Sequence, residues 1–81
     1  MIDISARVQA IVADRLDVPL EDVAWSSHFT EDLAADSLDR LELRLAIEEA
    51  FGVRITDDQQ DAFVRVGDVI QYLERQPEVT A

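Results

Sequence analysis

The chain has no cysteine and no lysine, a single histidine, and only two glycines and two prolines among its 81 residues. Without cysteine it forms no disulfide and offers no thiolate, which suits a cytosolic setting; any thiol it uses is imported. The lone histidine, His28, leaves a Ser-His-Asp hydrolase one candidate base, and the G-x-S-x-G turn that exposes such a nucleophile is missing. We therefore read a non-catalytic protein in which His28 is a surface or half-packed residue. No stretch approaches the ~20 apolar residues of a membrane span, and the opening MIDISARVQA has no basic start before an apolar run. The expectation is a soluble, untargeted, cytoplasmic chain with no membrane insertion.

Charge is equally one-sided. Eighteen Asp and Glu face seven Arg, a net charge of -11. Phosphates would be repelled, so nucleic acid and anionic membranes are excluded as partners and basic protein surfaces are favoured. The same charge opposes compaction, so salt or divalent cations should stabilise the fold. A chain of this length forms one small domain, here 1–81, that buries only about 60% of its unfolded surface. We read it as a monomer.

The apolar pattern is helical. Ile4, Val8, Ile11, Val12 and Leu16 recur at helical spacing behind Asp3 as cap, giving a first helix over about 4–16. From Asp17 to Ala35 there is no sustained period. This segment reads as a long loop pinned by Leu20, Val23, Trp25, Phe29 and Leu33, with a helical turn near Leu20 to Val23. Ser37 to Phe51 is the central helix, with Leu38, Leu41 and Leu45 on one line and Leu43, Ile47 and Phe51 on another, so two adjoining faces are expected to be buried. Gly52 stops it, and the Thr56 to Gln59 spacing fits a capping box for a short third helix to about Phe63. Val66, Val69, Ile70 and Leu73 mark a last helix ending before Pro77, with 77–81 a flexible tail. The fold class is all-α, a small four-helix bundle with one short helix.

Asp36-Ser37-Leu38 stands where the loop becomes the central helix. Serine and aspartate there are the commonest structural caps. A helix N-terminus also offers free N–H groups and partial positive charge, which suit a phosphodiester anion attached to a serine oxygen. The residues alone leave both readings open: a carrier of a covalent arm, or an acidic helical adaptor with Asp36-Ser37 as a cap.

The stretch FTEDLAADSLDRLELRLAIEEAFGVRI, Phe29 to Ile55, resembles the acyl carrier proteins of fatty-acid and polyketide synthesis. The first helix, the long loop and the closing VGDVIQYL segment follow that family's order, so the resemblance covers nearly the whole chain. It implies that Ser37 receives 4'-phosphopantetheine from coenzyme A through a magnesium-dependent phosphopantetheinyl transferase, with Asp36 and Leu38 as recognition positions and Asp32-Leu33 matching the E-D-L lead-in. The arm supplies the missing thiol, and acyl groups ride on it as thioesters among acyl-loading enzymes, ketosynthases and acyltransferases. Asp36 separates the chain from aminoacyl and peptidyl carriers, whose motif usually reads G-G-x-S. Ala34 stands where the family commonly has glycine; either that position is not left-handed or the loop is reset.

The resemblance further implies that acidic residues of the central helix, here Asp39, Glu42 and Glu49, meet basic patches on partner enzymes. The neighbouring stripe Asp36, Arg40, Arg44 and Glu48 is spaced four apart, so each arginine is expected to pair with a carboxylate at its end of the stripe. Positions matching Arg40 and Arg44 are usually small or apolar in fatty-acid carriers. Two exposed arginines would oppose a basic partner, which suggests a specialised carrier with dedicated partners. By the same analogy an acyl chain enters between the central and third helices, lined by Phe29, Leu45, Ile47, Ile55, Phe63 and Tyr72, with Phe63 shortening the pocket. Asp57, Gln59 and Asp61 resemble the start of a calcium loop, but Ala62 replaces the required glycine and no metal site is expected. Trp25 reads as a packing anchor.

Overall fold

The computed structural model describes residues 3–77 and residue 79. Asp3 opens α1 (Ile4–Leu16), its side chain accepting the Ala6 N–H at 3.0 Å. Val8 and Val12 are fully buried, while Ile4, Ile11 and Leu16 flank the core. Asp17 ends the helix in a left-handed conformation, φ 56°. A single 3-10 turn, Leu20–Asp22, follows.

Helix α2 (Ser37–Phe51) stops at Gly52, whose φ of 67° needs no Cβ penalty. Only one of its two apolar lines is buried. Leu43, Ile47 and Phe51 enter the core, whereas Leu38, Leu41 and Leu45 are 63%, 42% and 54% exposed, which corrects the expectation that both faces are covered. The physical reason is supply: α1 packs against both α2 and α4, and among the described residues no element covers the outer leucine line. Helix α3 (Asp57–Ala62) carries the expected Thr56–Gln59 capping box, and it has no buried residue of its own. Helix α4 (Val66–Glu74) buries Val66, Val69, Ile70 and Leu73 and closes the core with Val8, Val12, Phe51 and Ile55.

The long loop is held by polar contacts as well as apolar anchors. Val23, Phe29 and Leu33 are buried, but Leu20 and Trp25 are exposed, so those two do not serve as the core anchors expected of them. Buried Ser27 uses its hydroxyl to accept from Ala24 N–H at 2.9 Å and donate to Asp22 O at 3.2 Å. Gln9 Nε2 on α1 donates to Val23 O at 2.8 Å. A short antiparallel bridge pairs His28 with Arg65, flanked by Phe29 N–H to Val64 O and Val66 N–H to Ser27 O, both 3.0 Å. It clips the loop to the entry of α4. Of the expected flexible tail, residues 78, 80 and 81 lie outside the described residues, and Val79 packs half-buried against the core. Among the described residues no helix is long and apolar enough to cross a membrane.

Candidate functional site

Which residue caps α2 decides what Ser37 is free to do. Asp36 is the N-cap: Asp39 N–H donates to its Oδ1 at 2.8 Å, and Asp36 N–H donates back to Asp39 Oδ2 at 3.2 Å. The reciprocal pair satisfies the helix start with two carboxylates, which also sit well against the positive end of the helix. Ser37 is therefore the first helical residue and not the cap. It is exposed, and its hydroxyl has no hydrogen-bond partner among the described residues. Leu38 beside it is exposed as well.

The loop that delivers Ser37 is built around His28. The imidazole Nδ1 accepts from the N–H groups of Thr30 and Glu31, each at 3.2 Å, so the ring proton belongs on Nε2, which lies 3.3 Å from Glu31 Oε2. Asp32 Oδ2 accepts the His28 N–H at 2.7 Å, and Ala35 N–H donates to Phe29 O at 2.8 Å. Ala34 between them is left-handed, φ 57°, which settles the question raised by the missing glycine: the loop keeps the turn and accepts the strain. Both faces of His28 are thus engaged in loop structure, and no hydrogen bond joins it to Ser37 among the described residues. An exposed, unbonded hydroxyl at a helix N-terminus does fit an attached phosphodiester, whose charge the first-turn N–H groups would favour.

Along α2 the outer line of Leu38, Leu41 and Leu45 is bordered by exposed Glu42 and Glu49. Two of the other acidic residues are occupied within the fold. Asp39 closes the capping box, and Glu48 Oε2 accepts the Ile55 N–H at 2.7 Å. The arginines depart further from the expected stripe. Arg40 makes no ion pair with Asp36 among the described residues; its Nη2 donates to Gln60 O on α3 at 3.0 Å and to Phe63 O, just past the end of α3, at 3.1 Å. Arg44 keeps the expected ion pair with Glu48, its buried Nε 3.9 Å from Glu48 Oε2 without a hydrogen bond, but its Nη1 turns to Asp57 and Gln60 Oε1 on α3. Both side chains are half-buried rather than exposed. The signal was present in the spacing: Arg40 lies one turn before Leu43 and two before Ile47, on the buried line of the helix.

These arginines border a cleft between α2 and α3. Its apolar walls are Phe29, Leu43, Ile47, Ile55, Phe63 and Val69, and Arg40, Arg44 and Gln60 complete it. Four of the six residues expected to line an acyl pocket are brought together here. Leu45 lies on the exposed line outside the cleft, and Tyr72 stands behind Phe63, ring centroids 5.3 Å apart, with its hydroxyl on Gln59 Oε1 at 3.1 Å. Asp57, Gln59 and Asp61 form no ligand cluster; Asp57 meets Arg44 and Gln59 serves the α3 capping box.

Comparison with known proteins agrees with this geometry. The family model described as phosphopantetheine attachment site matches residues 6–73. The chain is 48% identical over 75 residues to an acyl carrier protein of Sinorhizobium fredii and, to the same extent, to the acyl carrier protein AcpP of Rhizobium meliloti, covering 93% of this chain and 96% of each relative. An acyl carrier protein of Helicobacter pylori is 48% identical over 67 residues, 83% of this chain and 86% of its own length. With a Ser-bearing helix start that fits the arm, and with this coverage, the chain belongs to the acyl carrier protein family, whose members carry a covalently attached 4'-phosphopantetheine.

Proposed function

We propose that Ser37 carries the arm and that the chain ferries acyl groups as thioesters between the enzymes of a specialised fatty-acid or polyketide pathway. The observation that carries this is the division of labour at the start of α2: Asp36 and Asp39 complete the cap, leaving the Ser37 hydroxyl exposed and unbonded. On transfer, Ser37 Oγ attacks the phosphorus of coenzyme A that bears the pantetheine, its proton is lost, and the pyrophosphate bond breaks with release of adenosine 3',5'-bisphosphate. The first-turn N–H groups of α2 then face the new phosphodiester.

The docking surface in this reading is the outer line of α2. Leu38, Leu41 and Leu45 offer apolar area, and Glu42 and Glu49 offer charge, so the partner has a basic rim around an apolar recess. Phosphopantetheinyl transferases and the acyl-handling enzymes of synthases are the partners proposed. The specialised pathway is supported by Arg40 and Arg44, which bind α3 where the family's fatty-acid carriers usually have small or apolar residues.

Intact-mass spectrometry after incubation with coenzyme A, magnesium and a promiscuous phosphopantetheinyl transferase tests the attachment. The parent should gain one arm-sized mass increment and the folded Ser37→Ala variant none. A gain on both would move the site elsewhere. If a general fatty-acid synthase set loads and elongates the parent fast, with no benefit from Arg40→Thr and Arg44→Val, the specialised assignment is lost.

A further inference from the structure

Helix α3 buries none of its own residues, so apolar packing contributes little to its position. It is held by polar groups, and the two arginines of α2 take it at both ends. Arg40 donates to two carbonyls at its C-terminal end: that of Gln60, which also accepts the Phe63 N–H, and that of Phe63, which accepts no other hydrogen bond among the described residues. Arg44 holds Asp57 at its first turn and the side chain of Gln60. Behind this clamp the cleft measures only about 30 Å³, room for about two water molecules and too little for an acyl chain of eight carbons. Admitting such a chain requires α3 to move outward, and that movement breaks the bonds from Arg40 and Arg44 together.

We propose that Arg40 and Arg44 form a latch that closes α3 over the cleft and determines which cargo enters: a medium-length saturated acyl chain on the arm stays outside the bundle in the native protein. This rests on attachment at Ser37. Burying methylenes favours entry of the chain; against this stand the charged hydrogen bonds of both arginines and the Phe63 carbonyl left unpaired if the clamp opens. A chain outside the bundle leaves its thioester open to enzymes and to small nucleophiles.

Two experiments read this separately. In the arm-free protein, Arg40→Thr should speed amide hydrogen exchange at Gln60 and Phe63 by roughly tenfold, the size expected for losing a charge-assisted bond; unchanged exchange overturns the latch whether or not Ser37 is modified. In the loaded protein, verified by mass, hydroxylamine should cleave acetyl and octanoyl thioesters on the parent at similar rates, with no NMR cross-peaks from the octanoyl chain to Ile47 or Ile55. The Arg40→Thr, Arg44→Val double variant should protect octanoyl several-fold and show those cross-peaks. Octanoyl protection or cross-peaks in the parent overturn the proposal. If the double variant does not fold, Asp57→Ala removes Arg44's exposed partner alone and should give partial octanoyl protection; none overturns the proposal. Failure of the arm to attach, by contrast, counts against Ser37 as the attachment site, and the exchange rates in the arm-free protein still decide whether the latch exists.

Discussion

At Ala34 an ordinary L-residue holds a left-handed conformation at the end of the loop that presents Ser37. The Cβ crowds the neighbouring carbonyl there, a cost of roughly 1–2 kcal/mol that glycine avoids. Glycine also adds unfolded-state entropy, which offsets part of the gain. Ala34→Gly should therefore raise stability by about 0.5–1 kcal/mol, read as a higher urea midpoint at unchanged slope. A lower midpoint would mean that the Ala34 methyl contributes packing that outweighs its strain. The sequence made glycine's absence visible but not the dihedral angle, because the turn is set jointly by the His28 and Asp32 side chains accepting backbone N–H groups and by the backbone bond from Ala35 to Phe29, and no periodic pattern marks that combination. The spacing of the cap, by contrast, is legible. Asp36 and Asp39 have capping-box spacing, and the hydrogen bonds between them assign the cap to Asp36 and release Ser37, a choice between the two residues that the sequence left open.

At the scale of elements, α1, α2 and α4 were legible because each combines helical apolar spacing with a recognisable start or stop: Asp3, Asp36 and Gly52 among them. Which leucine line of α2 faces inward was not legible. Both lines are equally apolar, and the choice depends on what α1 and α4 present to them. The bridge between His28 and Arg65 joins two aperiodic segments and left no sequence trace. Glu48 shows how an element's surface charge is diverted inward. Its carboxylate accepts the N–H of Ile55, a residue that is itself buried, and so fixes the α2–α3 connection to the end of α2. Glu48→Ala leaves that N–H without its acceptor, and the expected loss is about 1–3 kcal/mol. Accelerated exchange of the Ile55 amide would accompany it. Full retention of stability would show that water replaces the carboxylate at no cost.

For the molecule as a whole, charge is the property most directly written in the composition. With -11 on a small domain and several acidic groups exposed, including Glu42, Glu49 and Asp58, self-repulsion favours the expanded state. Millimolar magnesium should raise the melting temperature by about 4–8 °C, the shift that corresponds to ~1 kcal/mol in a domain of this size; an unchanged melting temperature would show that the exposed carboxylates are already spaced beyond effective repulsion. The single tryptophan lies at the junction that joins the helices to the loop. Trp25 Nε1 donates to Ser5 Oγ on α1 at 2.7 Å, and its carbonyl accepts the Gly67 N–H of α4 at 2.8 Å. A Cβ at Gly67 would stand 3.1 Å from that carbonyl oxygen, closer than an ordinary contact, so a larger residue there requires the Trp25 backbone to give by a few tenths of an ångström. The chain thereby carries its own fluorophore at the seam between loop, α1 and α4, remote in sequence from Ser37 and α3. Its emission reports whether the bundle is closed there, and it does so without a label that would compete with the arm.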